Sequence, residues 1–563
     1  MDVLYRDEKV ASAASSVAGR LVADGAPARL AAGDPTVWGE DAEAGAAGPP
    51  LRASRELLPD MGRLAEQARA AGLTNVVLAA TGAAALAAEV ICDTADVPLT
   101  VLDTSDPGQL RRALADPLES TIVVAAGSAV ETECCLLIYE ELFAQAGIEA
   151  AERIVAVADP RSPLGQRALE RGYRLVPPTG PDAASPVGGP GPALPGDVQG
   201  GAGQPADGQG LAGLRARGLG AALSAAALVP SALAGADVAR LLDDAEEVLP
   251  LLSRDSGNPG LALGAALGGA ALGGRDKLLL EDQLSAIAGL PDWIEALVAE
   301  STGKHGKGIL PVVGADPNRS HDELVIAIES DVGDVRVEGP LGAQFLVWEY
   351  AAATAALLLD VDPADRPDVT EPADNAAALL ALPELPAGAP ALVDGPVEVY
   401  GPVTAKDLPG VFIELLHAIP ADGYLAVTAY LDRLAAFDAP VPDGADFEQM
   451  TDAWMMADPA TLRALLALRT DRPVTFGWGP RSWHATGQYH KGGPQNGVFL
   501  QITGAVAEDV TVPGKPYTLG RLQLAQALGD LESLETRGRP AVRLHLTDRA
   551  AGVAHLLAAA QEV

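Results

Sequence analysis

Short apolar runs alternating with helical stretches set the pattern of residues 51–180. Residues 76–80, Val-Val-Leu-Ala-Ala, predict a buried strand, followed by a small-residue turn and a helix through Ile91. Further strands are predicted at 99–103, 121–126 and 153–158, with helices over 108–115 and 130–146 between them. Strands and helices alternating at this spacing make βαβ units and a parallel sheet. Ligands of such sheets bind beyond the carboxyl ends of the strands. The loops after residues 80, 103, 126 and 158 are therefore where a site is sought.

Elsewhere the pattern changes. Residues 1–50 read as helical and Ala-rich, then loop-like around Pro49-Pro50. Residues 177–210 are rich in Gly, Pro, Ala, Asp and Gln, with few large apolar side chains, and read as a mobile loop. Ala-rich helical sequence follows over 211–300. A second alternating region begins near 308, with strands predicted at 309–313, 323–329, 396–400, 424–428, 473–477 and 497–503, and helices at 343–359 and 459–469. The domain expectation is a helical segment (1–60), a first α/β lobe (61–240, with a flexible loop at 176–210), a helical connection (241–305) and a second α/β lobe (306–563). A chain of 563 residues is long enough for two or three cores.

Charge narrows the partners. A net charge of −37, spread without an acidic block, argues against nucleic acid and against anionic membrane surfaces. Cys92, Cys134 and Cys135 give no disulfide framework and fit a reducing cytosol. Cys134-Cys135 lacks neighbouring His or Cys ligands, so it reads as core and no metal is expected. The charged N-terminal residues do not make a signal peptide, and Pro and charge interrupt the apolar stretches, so no membrane-spanning helix is expected.

Two motifs carry a resemblance. Residues 484–494 read His-Ala-Thr-Gly-Gln-Tyr-His-Lys-Gly-Gly-Pro, after Gly477-Trp478-Gly479-Pro480-Arg481. Residues 300–312 read Glu-Ser-Thr-Gly-Lys-His-Gly-Lys-Gly-Ile-Leu-Pro-Val. With Trp38-Gly39, residues 41–44, 101–109, 228–238 and 258–277, these stretches resemble the glucose-6-phosphate isomerases of actinobacterial type and the isomerase half of transaldolase–isomerase fusions. The resemblance spans roughly residues 30–560. It implies two tandem sugar-phosphate isomerase-type (SIS) lobes, each a doubly wound parallel sheet flanked by helices. It also implies a homodimer, a sugar-phosphate substrate, a place in glycolysis and gluconeogenesis, and no cofactor.

The family chemistry is aldose–ketose isomerisation. An acid/base pair opens the sugar ring, a carboxylate moves a proton between C1 and C2 through a cis-enediol, and hydroxyls with backbone N–H groups hold the phosphate. On this resemblance His490 and Lys491 are the candidates for ring opening and oxyanion stabilisation, with His484 as a second candidate and Thr486 and Gln488 as hydrogen-bonding groups. The base is either Glu349, in a Trp-Glu pair, or Glu338, ahead of Gly339-Pro340; relatives often carry Glu where this chain has Gln344. Lys304, in a Gly-rich loop, is a candidate for substrate or subunit contact.

Departures concentrate at the phosphate end. Relatives carry Gly-Met-Gly-Gly-Ser-Ser-Leu after the first strand; residues 80–86 read Ala-Thr-Gly-Ala-Ala-Ala-Leu and retain Gly82. Their Ser-Lys-Ser-Gly-Ser/Thr-Thr becomes Val-Ala-Ala-Gly-Ser-Ala, keeping Gly127 and Ser128, with Glu131 and Thr132 following as in the family. Gly-Gly-Arg-Tyr/Phe-Ser becomes Arg-Gly-Leu-Gly-Ala at 217–221, where Arg215 or Arg217 is the candidate substitute cation, and a lysine expected near 373 is Ala373. A hydrogen bond to a charged group contributes about 1.5–3 kcal/mol. Millimolar binding needs only about 4 kcal/mol, so a few lost donors weaken phosphate binding severely. The alternative expectation is thus a metabolite-binding protein on the same scaffold, without turnover.

Overall fold

The computed structural model describes residues 1–34, 37, 51–179, 219–281, 285–314, 320–386, 388–435, 437 and 457–563. Arg217, the matches at 38–39 and 41–44, and the expected flexible loop from residue 180 onward lie outside the described residues.

The strands follow the chain as β1 (Asp2–Tyr5), β2 (Asn75–Ala79), β3 (Thr100–Leu102), β4 (Thr121–Ala126), β5 (Ile154–Val157) and β6 (Arg174–Val176). Then come β7 (Lys277–Glu281), β8 (Leu310–Val313), β9 (Glu323–Ile328) and β10 (Val335–Glu338). The last six are β11 (Leu392–Asp394), β12 (Val397–Tyr400), β13 (Tyr424–Tyr430), β14 (Val474–Trp478), β15 (Gly497–Gly504) and β16 (Ala541–Leu546). They form three mostly parallel sheets: β3-β2-β4-β5-β6, β1-β10-β9-β7-β8 and β11-β12-β16-β15-β13-β14. The expected α/β class with helix-flanked parallel sheets is what the chain adopts. The strands predicted after residue 308 divide between the second and third sheets.

Each sheet contains the same arrangement. Numbering its parallel strands in chain order, the order is 2-1-3-4: β3-β2-β4-β5, β8-β7-β9-β10 and β14-β13-β15-β16. The winding reverses between strands 1 and 3, which opens a crevice at their carboxyl ends. β4 is buried at all six positions, which explains its continuous apolar run: helices cover both faces of a parallel sheet. On one of them, Val130–Gln145, Cys135, Tyr139 and Phe143 recur every four residues and pack into the core against Val123 and Ile154.

Two strands lie where helix is predicted. β1 pairs antiparallel with β10, Asp2 opposite Glu338, and its charged neighbours mask its alternation. β7, Lys-Leu-Leu-Leu-Glu, is a short interruption of the Ala-rich region. Helix Leu341–Leu358 has the length and apolar composition of a membrane span, yet 83% of it is buried inside the protein.

Ion pairs join the first sheet to the third. Arg549 reaches Asp106 at 2.7 Å, Arg433 reaches Glu89 at 2.7 Å, and Arg481 reaches Asp103 at 3.1 Å. Burial alone would raise the Glu89 carboxyl, but Arg481 and Arg433 hold it down at about 2. The second sheet packs on the third through Leu279, Val312, Val325, Tyr424 and Phe499, with Arg472 forked onto Asp322 at 2.6 and 3.2 Å.

Candidate functional site

The crevice of the first sheet opens between β2 and β4. Gly82 follows β2 with φ +75°, and Gly127 follows β4 with φ +89°. These left-handed turns are strained for any residue with a Cβ. Each leads into a helix, Ala83–Thr94 and Val130–Gln145, and neither helix has a side-chain N-cap bond. Their first backbone N–H groups therefore stand at the carboxyl edge of the sheet, where an anion is favoured.

A segment from the third sheet closes over this edge. A Cβ on Gly82 would sit 3.8 Å from the His484 carbonyl oxygen. The His484 ring places Nε2 3.4 Å from Glu131 Oε1, which also accepts from Gln526 Nε2 at 2.6 Å. Ser105 fixes the Gln526 amide by donating to its Oε1 at 2.5 Å. Burial by itself would raise the Glu131 carboxyl; His484 and the bond from Gln526 outweigh it and hold the group below the ordinary range. Glu131 Oε2 and Thr132 Oγ1 are buried with no hydrogen-bond partner among the described residues.

Gln526 lies on helix Leu519–Thr536, and Asp530, four residues on, shares its face. Asp530 takes Lys491 Nζ at 2.6 Å and the Tyr430 hydroxyl at 3.2 Å. On the other side of His484, Arg366 donates to the His484 carbonyl at 3.4 Å and pairs with Glu300 at 2.6 Å. The Glu131–His484–Arg366–Glu300 chain thus lies beside the Gly82 turn, with the Lys491–Asp530 pair one helical turn along from Gln526.

The other expected residues are placed as follows. Gly127 and Ser128 form the exposed turn after β4. Gln488 is tied to the Gly303 carbonyl at 3.0 Å and to Asp368 at 2.9 Å, and Thr486 donates to the Ser482 carbonyl at 3.3 Å. His490 points away from Lys491, onto the Tyr424 hydroxyl at 3.0 Å and against Phe499. Burial, with Lys491 and Arg539 nearby, pushes His490 down to about 3, so its ring is neutral. Lys304 is buried with its ammonium on the carbonyls of Asp362, Pro363 and Asp365. All three of its protons are thereby used, and burial lowers it to about 8. Glu338, at the end of β10, pairs with Arg336 at 2.6 Å and is half-exposed. Glu349 is buried against the backbone N–H of Ala222 at 3.4 Å, and burial raises it to about 8. Neither glutamate has a hydrogen bond or ion pair with the Glu131–Lys491 cluster among those described.

Asp530, Gln526 and Arg366 were not legible as site residues. Nothing marks one acidic position among the charged and amide groups of helix Leu519–Thr536 until the fold brings it to Lys491. The local signal available for Arg366 was its place in the polar stretch 365–368, Asp-Arg-Pro-Asp.

The segment carrying Lys491 is tightly seated. A Cβ on Gly492 would stand 2.6 Å from Gln488 Nε2 and 2.8 Å from the Gly303 carbonyl oxygen, and closer still to Asp368. Gly492→Ala should lower stability by about 2 kcal/mol, measured by chemical denaturation; an unchanged midpoint would contradict this packing.

No known family profile matches the chain. A protein named probable glucose-6-phosphate isomerase from Haloarcula marismortui is 28% identical over 262 residues, 44% of this chain and 51% of its own length. A protein of the same name from Natronomonas pharaonis is 27% identical over 231 residues, 40% of this chain and 45% of its own. The chain spans about half the length of these curated relatives. Among solved structures, a glucose-6-phosphate isomerase from Chlamydia trachomatis aligns with 64% of this chain and 85% of its own, at 13% identity and a TM-score of 0.46.

Proposed function

We propose that this chain is an aldose–ketose isomerase of the glucose-6-phosphate isomerase family, actinobacterial type, that interconverts glucose 6-phosphate and fructose 6-phosphate at the crevice of the first sheet. The observation that carries this reading is the meeting of Glu131, His484 and Gln526 beyond the carboxyl end of β4, with the Lys491–Asp530 pair one helical turn along from Gln526. The similarity to proteins named as probable glucose-6-phosphate isomerases supports it at the level of the family.

The roles follow from the groups. Glu131, held ionised and with one oxygen free of donors among the described residues, suits proton transfer between C1 and C2. Its hydrogen-bonded neighbour His484 suits ring opening. Lys491, a buried cation, stabilises the negative charge that develops on the enediolate oxygen. The phosphate rests on the uncapped N-termini of the helices after Gly82 and Gly127.

A coupled assay of the purified protein with fructose 6-phosphate tests this. Turnover that falls at least a hundredfold in Glu131→Gln is expected. The second reading, a sugar-phosphate binding protein without turnover, is favoured by one specific observation. Ala84 and Ala85 replace hydroxyl-bearing residues at the phosphate turn, and Ala85 is buried. It predicts no turnover together with a thermal shift on adding 6-phosphogluconate.

A further inference from the structure

The third sheet repeats the winding of the first, so it too has a crevice, between β13 and β15. A cavity of about 440 Å³ lies there, within the range of small-molecule sites. Tyr430 ends β13, and Thr503 and Gly504 end β15; all three line the cavity. His545, near the carboxyl end of β16, and Gln523, on the helix that follows β15, complete its polar lining, while Leu385, Val506 and Leu524 supply apolar wall. None of these groups belongs to the chemistry proposed for the first sheet, although Tyr430 touches Asp530 from its other end.

The polar groups define what fits. The N-terminus of helix Leu519–Thr536 borders the cavity, but its donors are already used. Asp509 accepts the Gly520 N–H at 2.8 Å, and Thr518 accepts the Arg521 N–H at 3.3 Å. The Arg521 guanidinium is turned onto the carbonyls of Leu382 and Pro383. Glu384, at the exposed rim, adds a negative charge. His545 is held down by burial and by Arg543, which keeps its ring neutral, and it shares a 3.0 Å hydrogen bond with Thr503. Among the described residues the cations beside this space are committed to protein acceptors: Arg521 to the Leu382 and Pro383 carbonyls, Arg543 to the Thr503 hydroxyl at 3.3 Å, and Arg549 to Gln523 Oε1 at 3.2 Å and the Gly504 carbonyl at 3.3 Å.

We infer that the cavity between β13 and β15 is a second ligand site, for an uncharged polyhydroxylated small molecule of sugar size, with Thr503, His545 and Gln523 as its hydrogen-bonding wall. Such a ligand places hydroxyls on these groups and apolar ring edges on Leu385, Val506 and Leu524. A phosphate ester gains nothing here and meets Glu384.

Ligand-observed NMR titrations of the full chain with D-glucose, D-ribose and myo-inositol, and with D-glucose 6-phosphate as the charged counterpart, test this. Saturable binding of at least one neutral probe is expected. It should weaken about tenfold or more in Val506→Trp, which fills the cavity, and in Thr503→Val, which keeps the shape and removes the hydroxyl. It should persist in Glu131→Gln, so failure of the isomerase reading and failure of this inference are separable. Three results overturn it: no saturable binding of any neutral probe, neutral binding that survives both cavity substitutions, or glucose 6-phosphate binding as tightly as glucose and with the same sensitivity to Val506→Trp.

Discussion

Lys491→Met is expected to lower stability by about 3–5 kcal/mol and to abolish turnover, and the two effects should separate. The Lys491 side chain is 2% exposed and that of Asp530 is 10% exposed, at 2.6 Å from each other. Removing the ammonium leaves the carboxylate buried with the Tyr430 hydroxyl, 3.2 Å away, as its remaining hydrogen-bond donor among the described residues. A buried charge that loses its partner carries a large penalty, whereas replacing both members of the pair by neutral groups costs far less. Lys491→Met combined with Asp530→Asn should therefore recover most of the denaturation midpoint. Activity should not return, because the cation proposed to face the enediolate is still missing. If Lys491→Met is as stable as the parent, the pair does not act as read. If the double variant is active, Lys491 only positions the site.

The second large effect is on pH dependence. Burial raises the Glu349 carboxyl from an ordinary 4.5 to about 8, and the weak bonds from the Gly220 and Ala222 backbone do not offset it. The folded state thus keeps a proton that the unfolded chain releases near 4.5. The resulting stabilisation is fully present below about pH 4.5 and is lost as pH rises through 8. At about 1.36 kcal/mol per pH unit, a difference of 3.5 gives a ceiling of about 5 kcal/mol. Glu349→Gln supplies a neutral side chain of the same shape at every pH. The variant should match the parent near pH 5 and exceed it by several kcal/mol near pH 8.5, measured by urea denaturation at both values. Parallel curves for the two proteins would show that Glu349 is already ionised in the fold.

Much of the scaffold was legible because it rests on local pattern. The runs at 121–126 and 497–503 are long and apolar enough to declare themselves, and β4 and β15 coincide with them to within a residue. The strands that the local pattern does not display are short or interrupted by charge. β6 has three residues, and β16, Ala-Val-Arg-Leu-His-Leu, carries Arg543 and His545 at alternate positions. That there are three sheets with one winding follows from strand pairing across the chain, which a single sequence does not display. In the site, Glu131, His484 and Lys491 all lie in motifs that the sequence displays. His490 and Lys491 are neighbours in the motif, but successive residues on a helix face different directions. Tyr424 takes one and Asp530 takes the other. The resemblance offers Glu349, in its Trp-Glu pair, and Glu338, ahead of Gly339-Pro340, as the base; the fold pairs Glu338 with Arg336 on β10 and buries Glu349 against Ala222.

The central claim is that Glu131 moves a proton on a sugar phosphate bound at the crevice between β2 and β4. Proton NMR of fructose 6-phosphate incubated with the protein in deuterium oxide tests it most directly, because enediol chemistry exchanges the C1 proton even where net isomerisation is slow. Deuterium at C1 is expected with the parent protein and none with Glu131→Gln. Exchange that persists undiminished in Glu131→Gln, or its absence from the parent protein, would contradict it.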